Sequence, residues 1–160
     1  MRLDDDQRRM ILSDPAGWIA SGFGAGLSPV VSGTVGSAVA LLPYLALRLL
    51  STPMYLLVVA VAFALGIWVS AIIVQRLGVA DPGVIVWDEF VGQWITLAFA
   101  PFEWRWIVVG FFLFRLFDVW KPWPVSWADR RLKGGLGVML DDVFAGVYAA
   151  IVLAVLVYLV

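Results

Sequence analysis

The chain has 160 residues, of which 62% are hydrophobic and 14% are charged, and its formal net charge is −1. A chain this short cannot hide so much apolar surface in a soluble core, so the composition indicates an integral membrane protein, and the small net charge gives no field to recruit nucleic acid. The sequence contains no histidine and no cysteine, which excludes disulfides, a cysteine nucleophile, histidine-based acid–base catalysis and the usual zinc sites.

The N-terminal part is charged and then rich in glycine. Residues 1–17 lack the apolar run of a signal peptide, and we expect an amphipathic or flexible arm on the membrane surface. Residues 22–37 contain too much glycine and proline for one regular helix, so they predict a loop. With no linker or repeat in the sequence, we expect residues 1–160 to form a single membrane domain, with a helical membrane core over 18–160.

Apolar runs predict an all-α membrane protein with about four to five transmembrane or re-entrant helices. The clearest run is 54–74, whose 21 residues carry no charge and match the roughly 20 residues needed to cross a bilayer. The run 35–47 forms a hairpin with it, and 143–160 ends the chain. The runs 90–100 and 104–114 are short, which leaves two alternatives open: two tilted helices, or a re-entrant pair buried against its neighbours.

The charged residues are divided unequally between the two ends of these predicted helices. If the N-terminus is cytoplasmic, only Arg48 and Arg105 lie on the far side, which is a strong positive-inside bias. The basic residues of the cytoplasmic side are Arg2, Arg8, Arg9, Arg76, Arg115, Lys121, Arg130, Arg131 and Lys133. Most carboxylates fall on the same side. The polar segments therefore converge on one face, provided that residues 90–114 enter the membrane and return.

Carboxylates lie at the ends of three apolar runs. Asp88 and Glu89 precede one run, Asp118 follows another, and Asp141 and Asp142 precede the last. A carboxylate near hydrocarbon is costly unless it is paired or bound to a cation. Helix capping accounts for one acid of each pair, whereas a metal site accounts for both. Oxygen ligands of this kind suit Mg²⁺, so we expect the five carboxylates to form a metal site.

Basic and hydroxyl side chains in the same segments are candidates for binding phosphate. The set comprises Thr34, Ser37, Arg115, Lys121 and Arg130. An ion pair along a helix or a helix N-cap would explain these residues without any ligand. In a functional site, the guanidinium, ammonium and hydroxyl groups would instead bind phosphoryl oxygens.

Taken in chain order, these motifs resemble the phosphatidylglycerophosphatase A family of bacterial membrane enzymes. The motifs are GFGAGLSP at 22–29, GTVGS at 33–37, IVWDEF at 85–90, FRLFD at 114–118, KPWP at 121–124, and GGLG at 134–137 followed by Asp141 and Asp142. Together they extend over roughly residues 16–150, nearly the whole chain. The chain has Ser32 where the family usually has proline, a change that removes no catalytic group.

The resemblance implies a Mg²⁺-dependent phosphatase of phospholipid biosynthesis, multi-pass in the bacterial inner membrane, with its active site facing the cytoplasm. It would hydrolyse phosphatidylglycerophosphate to phosphatidylglycerol and inorganic phosphate. The five carboxylates would hold one or two Mg²⁺ ions, and one of them would deprotonate the attacking water. The basic residues and Thr34 would bind the phosphoryl oxygens. The expected partners are the phospholipid substrate and the lipid bilayer, with no nucleic acid, and the sequence does not determine an oligomeric state.

Two other classes of function fit parts of the pattern. A small cation-coupled transporter or channel would use intramembrane acids and discontinuous helices. However, the acids cluster at the ends of the runs, and 54–74 and 143–160 carry no charge. An inert scaffold subunit would leave five converging carboxylates without a role. We therefore favour the phosphatase.

Overall fold

The computed structural model describes residues 3–160, and within that range the regular elements are all helical. They are α1 (Asp5–Ser13), α2 (Pro15–Ala20), a short 3₁₀ turn (Ala25–Leu27), α3 (Ser32–Val39), α4 (Leu41–Leu47), α5 (Thr52–Leu77), α6 (Trp87–Leu97), α7 (Trp104–Trp120), α8 (Val125–Arg131) and α9 (Gly134–Leu159). The expected all-α fold is confirmed for these residues. Met1 and Arg2, which belong to the expected arm and to the count of cytoplasmic basic residues, lie outside the described residues.

Two helices of the described chain, α5 and α9, are long and apolar enough to cross a membrane. Each has 26 residues, which corresponds to about 39 Å of helix. In the most apolar 18-residue stretch of each, the buried share is 33% in α5 and 28% in α9. Most residues of these two stretches are therefore at least partly exposed and not enclosed in a protein core.

The remaining apolar runs form helices too short for a full crossing. Helix α6 has 11 residues and α7 has 17, and α3 and α4 together fill only Ser32–Leu47. Roughly 20 helical residues are needed to cross a bilayer. Helix length thus supports two candidate spans and does not support the expected four to five. Hydropathy reports how apolar a run is, but it does not show where the backbone leaves the helix.

The last helix begins earlier than its apolar run. Helix α9 starts at Gly134, nine residues before the predicted run 143–160, because the helix continues upstream through a glycine-rich segment and the two aspartates that interrupt the apolar pattern. Helix α7 likewise extends six residues past its predicted end. Asp141 and Asp142 consequently lie about two turns inside α9. Helix capping therefore does not account for this pair.

Helix α1 packs against the rest of the structure. Asp4 caps it, since its side chain accepts a hydrogen bond of 2.7 Å from the Gln7 backbone N–H, while the Gln7 side chain accepts one of 3.1 Å from the Asp4 N–H. Ile11 is 1% exposed and lies in a cluster with apolar side chains of α2 and α5. An ion pair between Asp14 and Arg76 joins the start of α2 to the end of α5. These contacts fix the position of α1.

The centre of the bundle is α6, which lies against α5, α7 and α9. Eight of its eleven residues are buried. Close approach to α9 is possible because Gly92 and Gly146 face each other: a Cβ on Gly146 would lie 2.6 Å from the Gly92 carbonyl oxygen. Asp88 lies one turn before Gly92, and Asp142 lies one turn before Gly146. The glycine contact thus brings these two carboxylates side by side.

Candidate active site

A polar cavity of about 150 Å³ opens at one end of the bundle, where α6, α7, α8 and α9 meet the loop before α6. Its acidic lining residues are Asp81, Asp88, Glu89, Asp118, Asp129, Asp141 and Asp142, and its basic ones are Lys121 and Lys133. Helix α6 leads away from this cavity and α7 leads back to it. The structure therefore shows the convergence of polar segments on one end that the sequence predicts.

Three of the carboxylates meet at metal-binding distance. One oxygen from each of Asp88, Glu89 and Asp142 lies within 4.8 Å of the other two. Each residue also has a buried oxygen that makes no hydrogen bond in the described chain: Oδ1 of Asp88, Oε2 of Glu89 and Oδ2 of Asp142. Buried carboxylates this close repel one another, so protons or a bound cation must neutralise them. An all-oxygen ligand set at this spacing fits Mg²⁺.

Arg115 is the cation closest to this cluster. Its guanidinium forms an ion pair with Asp118 and lies 3.8 Å from Oε1 of Glu89. It also donates a hydrogen bond of 3.3 Å to the Ser37 hydroxyl, which in turn donates one of 2.8 Å to the Gly33 carbonyl oxygen. The guanidinium is thus held behind the carboxylates and does not line the cavity.

Lys121 joins two acids across the cavity wall. Its Nζ lies 2.7 Å from Oδ1 of Asp129 and 2.5 Å from Oδ2 of Asp141. Burial alone would lower the Lys121 pKa, but hydrogen bonds to Asp129 and Asp141 outweigh it and raise the pKa above its ordinary value. The ammonium therefore stays charged. Burial also raises the pKa of Asp81 on the loop nearby.

The five predicted metal ligands fall into two groups. Asp88, Glu89 and Asp142 form the cluster described above. Asp118 and Asp141 line the same cavity, but each is engaged by a basic side chain, Asp118 by Arg115 and Asp141 by Lys121. The structure thus brings all five acids to one place and gives three of them the geometry of a shared ligand set.

The predicted phosphate-binding residues are more scattered. Lys121 lines the cavity, whereas Arg115 and the fully buried Ser37 lie behind it. Thr34 lies in the first turn of α3 and is not a lining residue. Arg130 is exposed on α8, and its Nε donates a hydrogen bond of 2.9 Å to a backbone carbonyl one turn earlier.

Two lining acids were not among the predicted site residues. Asp81 lies in the Asp-Pro-Gly turn seven residues before Asp88, and Asp129 lies on α8. Both fall in polar segments on the predicted cytoplasmic side. Asp81 could have been identified from the sequence because it is a third acid in the same segment as Asp88 and Glu89.

The chain is similar to one family of bacterial proteins over nearly its whole length. A family model described as Phosphatidylglycerophosphatase A matches residues 18–157. Phosphatidylglycerophosphatase A of Escherichia coli (strain K12) is 44% identical over 148 residues, which cover 92% of this chain and 86% of that protein. The protein of the same name from Haemophilus influenzae is 42% identical over 153 residues, which cover 94% of each chain.

One similar protein carries another name. A Bacteroides thetaiotaomicron protein, provisionally named as a phosphatidylinositol-3-phosphatase, is 42% identical over 146 residues, which cover 86% of this chain and 90% of that protein. No solved structure gives a significant match to the chain. All three names thus describe enzymes that remove a phosphate from a lipid headgroup, but the headgroup differs.

Proposed function

The chain belongs to the phosphatidylglycerophosphatase A family, and from that premise we propose that it removes the terminal phosphate of phosphatidylglycerophosphate with Mg²⁺ as its cofactor. The products are phosphatidylglycerol and inorganic phosphate, which places the reaction in phospholipid biosynthesis. The observation that carries this proposal is the cluster of Asp88, Glu89 and Asp142, with its buried and unpartnered oxygens, at the edge of a polar cavity.

The cluster is the place where the metal would bind. Mg²⁺ held by Asp88, Glu89 and Asp142 would supply a Lewis acid that polarises the phosphoryl group and offsets its developing negative charge. Arg115 lies behind the cluster and holds Glu89 and Asp118 in position through its ion pairs. We therefore assign Arg115, with Ser37, to positioning these carboxylates.

A carboxylate accepts the proton of the attacking water in this proposal. The chain has no histidine or cysteine, so an aspartate or glutamate of the cavity is the available group to accept a proton from the attacking water. Asp118 and Asp141 line the cavity next to the cluster and are candidates for this role. Their ion pairs with Arg115 and Lys121 keep both acids in place.

Lys121 is the best placed of the predicted phosphate-binding residues. Its ammonium has three N–H donors, and two of them go to Asp129 and Asp141. The third is free to bind a phosphoryl oxygen in the cavity. Thr34 and Arg130 stay predictions, since neither lines the cavity.

We further propose that α5 and α9 cross the bacterial inner membrane in a multi-pass arrangement, with the cavity at the cytoplasmic side. The outward-facing apolar surface of both helices supports this placement. The small number of basic residues at the opposite end, Arg48 and Arg105, also supports it. There, Arg48 lies 3.2 Å above the Phe102 ring, and Arg105 pairs with Glu103 at 2.6 Å. Acyl chains of the substrate would then stay in the bilayer while the headgroup reaches the cavity.

The transporter or channel alternative is not favoured. The cavity acids gather at one end of the bundle, and the runs 54–74 and 143–160 contain no charged residue. A route for a cation would need polar groups through the apolar part of the bundle.

The proposal is tested by phosphate release from phosphatidylglycerophosphate in detergent, with Mg²⁺ and with a chelator. We expect chelation to abolish turnover, and Asp88→Asn and Asp142→Asn each to lower it by at least about 100-fold, or about 2.7 kcal/mol of transition-state stabilisation. Glu103→Gln, the same acid-to-amide change at the opposite end of the bundle, serves as control and should retain activity. Folded wild-type protein that releases no phosphate, or releases it equally with chelator, contradicts the proposal.

A further inference from the structure

A second polar cavity, of about 340 Å³, adjoins the catalytic cavity. It lies between α1, the segment 26–32 and the loop before α6. The two cavities share Ser32 and Gly83 as lining residues, and the Ser32 hydroxyl donates a hydrogen bond of 2.6 Å to the Gly83 carbonyl oxygen. This hydrogen bond lies where the two cavities adjoin, and an extended molecule that occupied both would pass it.

Arg8 is the one charged residue that lines the second cavity within the described chain. It makes no ion pair with any residue of 3–160. The Ser28 and Ser32 hydroxyls already donate their protons to backbone carbonyl oxygens, at 2.9 and 2.6 Å. The Arg8 guanidinium is therefore the side chain whose donors are free to meet an anion. Ile11 and the Asp4 cap hold α1 in place, so the exposed Arg8 side chain extends from a fixed helix beside the cavity.

Exposed apolar side chains lie next to this cavity. Val30 and Val31 are each 66% exposed, and Val31 lines the cavity itself. Exposed apolar groups this close together are typical of a surface that contacts lipid. The second cavity thus lies between an apolar surface and the catalytic cavity.

We propose that the second cavity binds the phosphodiester of the substrate, with Arg8 as its cationic partner. This inference rests on the proposed function, because phosphatidylglycerophosphate carries a phosphomonoester and a phosphodiester joined by glycerol. The monoester lies at the carboxylate cluster, the glycerol passes Ser32, and the diester lies against Arg8. The acyl chains then leave past Val31.

This arrangement makes Arg8 a specificity-determining residue. A lipid such as phosphatidate has a phosphomonoester but no phosphodiester, so it can fill the catalytic cavity while it leaves Arg8 without an anion. Arg8 also lies on α1, before the matched residues 18–157. Selectivity for a lipid with two phosphates would then depend on a helix outside the matched part of the chain.

The test compares hydrolysis of phosphatidylglycerophosphate and phosphatidate in the same mixed micelles with Mg²⁺. For Arg8→Gln, we expect the ratio of kcat/KM between the two lipids to fall about tenfold, mainly through KM, as for one lost charge-assisted hydrogen bond. Arg9→Gln is the matched control, because Arg9 is exposed on the same helix and lines neither cavity. Arg8→Lys should restore part of the ratio.

Inhibition by phosphatidylglycerol gives a second readout. This product retains the phosphodiester and lacks the monoester, so its inhibition constant should rise about tenfold in Arg8→Gln and stay unchanged in Arg9→Gln. An unchanged ratio and inhibition constant in Arg8→Gln, with an active wild type, would overturn this inference alone. Failure of the wild type to release phosphate from either lipid would instead overturn the proposed function.

Discussion

At the residue scale, the site depends on which of its carboxylates form ion pairs with the two basic side chains, Arg115 and Lys121. Arg115 forms an ion pair with Asp118, while Lys121 forms ion pairs with Asp129 and Asp141. Within the described residues, the cluster of Asp88, Glu89 and Asp142 has a single ion pair with a basic side chain, in which Arg115 lies 3.8 Å from Glu89. An ion pair satisfies a buried carboxylate and lowers its need for a metal. The basic residues thereby decide which acids stay available as ligands.

Asp118→Asn distinguishes a metal ligand from an acid that positions Arg115. The neutral amide cannot form an ion pair with the guanidinium, which we expect to move toward Glu89 and compete with Mg²⁺. The Mg²⁺ concentration for half-maximal activity should rise about tenfold, with activity recovered at high Mg²⁺. A Mg²⁺ titration of phosphate release measures this. If activity stayed as low as in Asp88→Asn at every Mg²⁺ concentration, Asp118 would act in the reaction itself, as a ligand or as the group that accepts the proton.

At the element scale, the contact between α6 and α9 sets the geometry of the site. Gly92 and Gly146 let the two backbones touch, and the carboxylates of Asp88 and Asp142 each lie one turn away. Helices with larger side chains at the contact would stand farther apart. The separation of these two carboxylates therefore follows from a contact between residues that bear no charge.

Gly146→Ala should impair stability and activity together. The added Cβ would lie 2.6 Å from the Gly92 carbonyl oxygen, so α9 must shift away from α6. We expect a loss of about 1–3 kcal/mol in stability, as for overpacked cores, and at least about a tenfold loss of Mg²⁺-dependent activity. Thermal unfolding in detergent and phosphate release measure the two effects. Val147→Ala, a change at an exposed side chain of the same turn, is the control. Wild-type activity in Gly146→Ala would show that the glycine contact does not set the site.

At the scale of the whole molecule, the bundle has two chemically different ends. One carries the acidic cavity and most of the basic residues, and the other carries Arg48 and the Glu103–Arg105 pair. The connection between α6 and α7 lies at the second end, with Phe102 71% exposed. In the proposed orientation, this connection faces the periplasm.

Cysteine labelling tests this orientation without background, because the chain has no cysteine of its own. We expect Glu103→Cys to react with a membrane-impermeant reagent added to the periplasmic side. Arg131→Cys, an exposed position at the cavity end, should react only after the cytoplasmic side is opened. Protection of Glu103→Cys from both sides would favour a re-entrant α6–α7 hairpin, and labelling from the cytoplasm would reverse the orientation. The exposed Glu103–Arg105 pair contributes little to stability, so the substitution should be tolerated.

The sequence by itself determined the helical class, the two longest apolar helices, the end at which the acids gather, and the family. These properties follow from composition, from run length and from short motifs, all of which are local in the chain. Helix length does not support the predicted count of four to five transmembrane or re-entrant helices, because hydropathy does not show how short a helix such as α6 is. The sequence also placed Asp141 and Asp142 at a helix start that lies farther upstream.

Only the tertiary structure decided which acids lie within 4.8 Å of one another and which form ion pairs with Arg115 and Lys121. It alone showed the second cavity, which joins Arg8 to residues far along the chain such as Gly83. The physical reason is the short distance over which these interactions act. Ion pairs and metal ligation act over a few ångströms, and those distances depend on how α6, α7 and α9 pack rather than on spacing in the chain.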